Sequence, residues 1–200
     1  MKNLQETGTY LESKIKFNTK MALIFLLIGL VTLTFYIGII FIGISIYFFI
    51  KRSHYKSGYL GEQIVIESLQ NLPDSYSLIN DVNLLNSYGN IDHVVLGNNG
   101  IFIIETKNFQ GEIICNEDEW VRHYEEADKD YEIKSPSKQV KGNALKLKQY
   151  IESKNIFGKS LRIWVEGIVV FTNEDVILHC NNSTVPILKV SQLCNYILNK

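Results

Sequence analysis

The chain has 200 residues, of which 46% are hydrophobic, and its 20 basic and 21 acidic residues give a formal net charge of −1. This length allows one or two domains. The averages are typical of a soluble globular protein, but 24 of the 30 residues over 21–50 are apolar and none of them is charged, which leaves about 40% apolar residues elsewhere. This uneven distribution excludes a simple secreted or cytosolic globular protein.

The uncharged segment over residues 21–50 has the composition of a transmembrane segment. About 20 apolar residues cross a bilayer core as a helix, whereas the apolar region of a signal peptide has only about 7–15. The segment therefore fits either one long, tilted helix or two short helices that turn back near Gly29 to Thr34. Lysines flank both ends, so we expect residues 21–50 to bind membrane lipid and residues 1–20 to be a cytoplasmic or juxtamembrane segment.

A basic linker is expected over residues 51–57, followed by a polar domain over residues 58–200. Residues 51–200 hold 16 basic and 19 acidic groups, a net charge of −3, which excludes a broad basic surface for nucleic acid. The three cysteines form no CxxC or Cys/His cluster, so neither a zinc site nor a disulfide framework is expected. Widely spaced thiols are typical of a reducing compartment, which predicts a cytoplasmic domain at the cell membrane.

The domain is predicted to begin with a helix and to continue with strands. The helix is expected over Gly58–Leu72, because Val65, Ile66 and Leu69 follow Glu62 at the spacing of one helical face. Four segments rich in β-branched residues and bounded by Gly, Asn or Asp then predict strands, namely Ser77–Val82, Ile91–Leu96, Ile101–Lys107 and Gly111–Cys115.

The second half of the domain is predicted to add two helices and further strands. The acidic stretch over residues 116–134 is expected to hold one short strand. Ser135 and Pro136 have the residue types of an N-cap and a first helical position. The buried face of that helix is expected to hold Val140, Ala144, Leu147 and Ile151. The last predicted elements are strands over Arg162–Phe171 and Val176–His179 and a helix over Val190–Leu198. This order predicts an α/β fold with one mixed β-sheet flanked by helices.

The turn signal Asn98–Gly100 lies between two apolar strands and predicts an antiparallel hairpin. If the first two residues of this signal form the loop, Asp92 faces Glu105, whereas Asp92 faces Lys107 if the last two do. In either register Asp92, Glu105 and Lys107 share one face of the sheet, because side chains alternate along a strand.

This shared face is a candidate metal site. Facing carboxylates repel each other, and Mg²⁺ or Mn²⁺ would offset the repulsion, since these ions prefer oxygen ligands and take one or two carboxylates from a protein. Lys107 would then orient or help to deprotonate a water molecule, or stabilise charge on a phosphate. A salt-bridged cluster of Asp92, Glu105 and Lys107 without a metal is the alternative.

Glu62 is a further candidate, because a carboxylate on the apolar side of a helix is costly to bury without a partner such as a metal or Lys107. The alternative is an acid that the helix dipole favours near its N-terminus. His93 alternates with Asp92 and is expected to be packed on the opposite face.

Four segments in this order resemble the motifs of the nuclease-related domain, NERD, within the PD-(D/E)xK phosphodiesterase superfamily: Gly58–Glu62, Ile91–Val95, Gly100–Lys107 and Pro136–Gln139. The resemblance covers roughly residues 58–180 and implies a restriction-endonuclease-like αβββαβ core. In that superfamily an aspartate and the glutamate of the ExK motif bind the metal, the lysine assists the water, and a glutamate of the first helix completes the site.

Carried over to this chain, the resemblance implies that Asp92, Glu105 and Glu62 bind the metal and that Lys107 assists the water. It further implies that Gln139 approaches the same site. Ile91 stands where the name of the superfamily has proline, and this difference leaves the chemistry little changed.

The sequence thus predicts a membrane-anchored, Mg²⁺- or Mn²⁺-dependent nuclease that hydrolyses phosphodiester bonds in DNA, and RNA stays open as a substrate. The competing interpretation is a non-catalytic, membrane-tethered module that keeps the nuclease fold and binds nucleic acid or protein. The net charge of −3 and the acidic stretch from Glu117 to Asp130 favour this second interpretation.

Overall fold

A computed structural model describes residues 1–4, 9–33, 37–84, 90–124, 129–154 and 164–200 of the chain. The chain divides into two compact units. One unit consists of Gly8–Leu60, and the other combines Met1–Thr7 with Gly61–Lys200. The predicted strand over Arg162–Phe171 begins at Arg162, which lies outside the described residues, as does Ile163.

The Gly8–Leu60 unit is built from two helices, α1 (Thr9–Val31) and α2 (Gly38–Leu69), of which α2 continues into the second unit. Side chains link the two helices along their length. The Ser45 hydroxyl donates to the Ala22 carbonyl oxygen at 2.7 Å, and Arg52 Nε donates to Thr19 Oγ1 at 2.8 Å. The Phe25 ring stacks on two rings of α2, those of Phe41 and Phe48.

The expected transmembrane segment over residues 21–50 is divided between these helices. α1 carries the apolar residues 21–31 and α2 the apolar residues 38–50, and both helices continue into basic residues. In the described part of the chain, no helix combines the length and apolarity needed to cross a membrane. Residues 51–57, expected to form a linker, lie within α2.

The larger unit contains a six-stranded mixed sheet. Its strands are β1 (Lys2–Asn3), β2 (Ser77–Val82), β3 (Ile91–Gly97), β4 (Gly100–Lys107), β8 (Val165–Phe171) and β10 (Ile187–Lys189), and they lie side by side in this order. Strands β2, β3 and β4 form an antiparallel meander, whereas the β1–β2, β4–β8 and β8–β10 pairs are parallel.

A second sheet has four strands, β5 (Glu112–Asn116), β6 (Glu119–Tyr124), β7 (Lys129–Glu132) and β9 (Ile177–Asn181). Their order in the sheet is β7-β6-β5-β9. The prediction of a single sheet was therefore wrong, and the acidic stretch contains two paired strands rather than one. β10 was also missed, because three residues are too few to show a periodic pattern.

Helices cover both faces of the six-stranded sheet. The larger unit's part of α2 and helix α4 (Val190–Leu198) pack on one face, through Val65, Leu69 and Leu193 among other buried residues. Helix α3 (Pro136–Ser153) and the second sheet share the core on the other face. Ser135 caps α3 as predicted, and its hydroxyl accepts from the Lys138 N–H. The order α2-β2-β3-β4-α3-β8 agrees with the expected αβββαβ order.

Close packing between α3 and β8 gives a first prediction. A Cβ atom added at Gly167 would lie 2.9 Å from Val140 Cγ2 and 3.2 Å from the Val140 carbonyl oxygen. Gly167→Ala should therefore lower the free energy of unfolding by about 1–3 kcal/mol, because the core has no room for the methyl group. Urea denaturation followed by circular dichroism measures this change.

Val140→Ala provides the control, because it removes the clashing methyl groups while leaving the backbone contact. In a double-mutant cycle, the two substitutions together should cost less than the sum of their separate effects. Wild-type stability for Gly167→Ala, or strict additivity of the two changes, would contradict the described contact.

Candidate active site

The β3–β4 hairpin fixes the register of the candidate site. Gly97 pairs with Gly100 and His93 pairs with Ile104, so the first of the two considered registers is present. Continued by one residue, this register places Asp92 opposite Glu105. The backbone N–H of Thr106 donates to Asp92 Oδ2 at 2.8 Å, which holds the aspartate against β4.

Glu105 and Lys107 form a close pair on β4. Lys107 Nζ donates to Glu105 Oε1 at 2.6 Å, and the glutamate is only 2% exposed. β4 is an interior strand between β3 and β8, which explains the burial. The side chain of Lys107 remains 18% exposed, so its ammonium is the more accessible end of the pair.

Glu62 joins this group from α2. Burial raises its pKa to about 7, and the negative charges of Asp81 and Glu105 add to the increase. Burial also raises the pKa of Asp92 well above its usual value, with further increases from Glu105 and Glu62. Glu62, Asp92 and Glu105 therefore lie close enough to repel one another.

One ammonium does not balance the three carboxylates. Burial raises the pKa of Glu105, whereas Lys107 lowers it by charge and hydrogen bond. Among the described residues, no group of three or more His, Cys, Asp or Glu side chains is arranged to hold a metal ion. The chemistry of the donors nevertheless suits Mg²⁺ or Mn²⁺, because the group offers only carboxylate oxygens and has an excess of negative charge.

Comparison with known protein families identifies the family to which the chain belongs. The family model of the nuclease-related domain, NERD, matches residues 57–172. The chain belongs to the NERD family. The match confirms the resemblance that the motifs predicted, and the candidate site lies within the matched residues.

The relatives of this NERD protein add little beyond the family. Over 64 residues the chain is 39% identical to an uncharacterized protein of Bacillus anthracis, and the alignment covers 30% of each protein. The chain thus spans less than a third of the curated relative that it matches. No solved structure matches the chain at a significant level.

Two charged residues that act on the candidate active site of this NERD protein were missed by the sequence analysis. Asp81 lies on β2 between Asn80 and Val82, which pair with β3, and so occupies the register position across from Asp92. Its charge acts on Glu62, and Lys134 similarly lowers the pKa of Glu105. A known β2–β3 register would have identified Asp81, whereas no sequence signal connects Lys134 with β4.

The structure also describes Gln139 and His93, the remaining residues that the sequence analysis considered. Gln139 lies in the first turn of α3, which packs against β4 and β8, and its backbone N–H donates to the Ser135 carbonyl oxygen. Its approach to the carboxylates stays a prediction. His93 is fully buried, as expected, with Nδ1 2.7 Å from Asn80 Oδ1, and burial lowers its pKa to about 3.

The raised pKa of Glu62 predicts a pH-dependent loss of stability. Glu62 ionises near pH 4.5 when unfolded but near pH 7 when folded, so the unfolded chain binds fewer protons between these values. The free energy of unfolding therefore falls as pH rises through this range. In EDTA at pH 8, Glu62→Gln should raise the free energy of unfolding by up to about 3 kcal/mol relative to wild type. At pH 4 the two proteins should differ little in stability.

Urea denaturation at both pH values measures this effect. Glu67→Gln is the matched control, because Glu67 is an exposed glutamate on the same helix. An equal stabilisation by both variants, or none by Glu62→Gln, would contradict the raised pKa of Glu62.

Proposed function

We propose that the NERD domain of this chain hydrolyses phosphodiester bonds in DNA with Mg²⁺ or Mn²⁺ as cofactor. The observation that carries the proposal is the group formed by Asp92, Glu105 and Lys107 on neighbouring strands, in the order expected of a PD-(D/E)xK site. Asp92 and Glu105 would hold the ion as a carboxylate pair, and Glu62, which acts on both by charge, would join them once the ion is bound. Membership of the NERD family supports a nuclease-like function.

The roles of the side chains follow from their contacts. When bound, the ion would supply Lewis-acid activation of water and would neutralise the excess carboxylate charge. The Thr106 N–H keeps one Asp92 oxygen facing β4. The ammonium of Lys107, held by Glu105 and partly exposed, would donate to an incoming water or to a phosphate oxygen.

In the proposed reaction, water adds to phosphorus and the bond from phosphorus to one sugar oxygen breaks. One proton of the water goes to the departing oxygen. The products are a phosphate monoester and a free hydroxyl group, and no oxidant or reductant is needed.

This proposal predicts the effects of two substitutions on cleavage. With Mg²⁺ or Mn²⁺, the full chain should nick plasmid or cleave single-stranded DNA. Lys107→Ala should slow cleavage by about 10²–10³-fold, because the ammonium near the reacting phosphate is lost. Asp92→Asn should weaken Mg²⁺ binding, measured by calorimetry, as well as cleavage. Lys148→Ala, which removes an exposed lysine on α3, is the charge-matched control and should act like wild type.

The outcomes also separate the two candidate functions. Cleavage that survives both Lys107→Ala and Asp92→Asn would contradict the site assignment. DNA binding without cleavage by wild type in either metal would instead support the non-catalytic module, which the net charge of −3 over residues 51–200 favours.

We further propose that residues 21–50 attach the protein to the cell membrane, with the NERD domain on the cytoplasmic side. Apolar side chains of this segment are largely exposed on both helices, including Leu27 at 65%, Val31 at 71% and Ile40 at 65%. Exposed apolar surface of this extent is typical of membrane or protein contacts. Lys20 in α1 and Lys51 in α2 adjoin the apolar parts, where they suit anionic headgroups.

Vesicle flotation tests this attachment. The full chain should float with anionic vesicles, and a variant combining Leu27→Gln, Val31→Gln and Ile40→Gln should stay in the dense fraction. Leu145→Gln is the control, because Leu145 is 56% exposed on α3, outside the apolar segment. Wild type that remains unbound, or equal loss of binding in the control, would contradict the proposal.

A further inference from the structure

The β6 and β7 strands separate their charges between two faces. Arg122 pairs with Tyr131, and Tyr124 pairs with Lys129, so these four residues share one face of the sheet. We call them the aromatic-basic face. The opposite face carries the carboxylates of both strands, those of Glu119, Asp130 and Glu132.

The rings of the aromatic-basic face are exposed and positioned by one another. Tyr124 is 42% exposed and Tyr131 is 51% exposed. Their ring centroids lie 5.3 Å apart in an edge-to-face arrangement, and Arg122 Cζ lies 4.7 Å from the centroid of Tyr124. Two aromatic surfaces with an adjacent guanidinium form the kind of platform on which unpaired bases stack.

The position of this face relative to the candidate active site follows from strand connections. Trp120, on the same face of β6, stacks on Phe171, and Phe171 pairs with Lys107. Residues 108–111 alone connect β4 to β5, and β5 begins at Glu112, which pairs with His123. The aromatic-basic face therefore lies beside the start of β5. This is the end of the second sheet next to Lys107, the last residue of β4.

We propose that the aromatic-basic face binds an unpaired strand of DNA and leads it to the carboxylate site. The bases would stack on Tyr124 and Tyr131, and Arg122 and Lys129 would contact phosphates. A duplex fits less well, because its bases are already stacked and the domain lacks a broad basic surface. The inference names the substrate class of the proposed nuclease and rests on that proposed function.

Fluorescence anisotropy with the full chain in EDTA tests binding without cleavage, using a labelled oligonucleotide of about 15 nucleotides. Tyr124→Ala combined with Tyr131→Ala should weaken binding of single-stranded DNA by about tenfold or more. Tyr124→Phe combined with Tyr131→Phe keeps both rings and should bind almost as tightly as wild type. The salt dependence should be shallow, with a log–log slope of about −1.4 for two phosphate contacts.

The control uses a similar tyrosine elsewhere in the domain. Tyr150 on α3 is 50% exposed and has Lys154 Nζ 5.4 Å from its ring centroid, so Tyr150→Ala removes an equivalent ring without touching β6 or β7. This variant should bind like wild type. Equal weakening by Tyr150→Ala, unchanged binding by the double alanine variant, or tighter binding of duplex DNA or of RNA would overturn the proposal.

The test remains separate from the test of cleavage. Lys148→Ala should retain single-stranded DNA binding, because Lys148 is an exposed lysine of α3 outside both the aromatic-basic face and the carboxylate site. If wild type binds through the two tyrosines but cleaves nothing, the strand-binding inference stands and the proposed nuclease activity fails. If wild type cleaves DNA and the tyrosine variants bind normally, the proposed nuclease activity stands and the strand-binding inference fails.

Discussion

The burial of like charges beside apolar strands is the constraint on which the described site depends. Asp92 and Glu105 stand among β-branched residues of two neighbouring strands, and Glu62 reaches them from α2. Lys107, which is hydrogen-bonded to Glu105, does not by itself balance the buried Glu105 and the half-buried Asp92 and Glu62. Burying charge in this way costs stability unless a partner is present. The surrounding sheet therefore stabilises an arrangement that is unfavourable by itself, as expected where binding or catalysis requires charge.

The rest of the larger unit supplies the rigidity that this arrangement requires. β4 carries Glu105 and Lys107 and lies between an antiparallel and a parallel neighbour, so its backbone is hydrogen-bonded on both sides. α3 approaches β8 so closely at Gly167 that no side chain fits there. Trp120 connects the second sheet to the same core through Phe171, and its indole N–H donates to the Ser137 hydroxyl in the first turn of α3. Both sheets and α3 thus meet near the end of β4.

Much of this site could be predicted from the sequence because its signals are local. Alternation along one hairpin places Asp92, Glu105 and Lys107 on one face in either register, and the turn signal at Asn98–Gly100 left only two registers. Asp81 could not be predicted, because the β2–β3 register depends on a connection whose sequence does not define it. Residues 51–57 contain neither glycine nor proline, so their basic charge suggested a linker although nothing in them ends a helix. The second sheet was missed because acidic residues concealed the alternation of β6 and β7.

That alternation also changes how the negative charge of the domain is interpreted. Net charge over residues 51–200 argues against nucleic acid only if acidic and basic groups are mixed on every surface. On β6 and β7 they are not mixed, since Arg122 and Lys129 share a face with exposed rings and the carboxylates of both strands point the other way. A surface of this kind attracts a phosphate chain only at short range. In the proposed complex, stacking would then provide most of the affinity, which favours unpaired bases over a duplex.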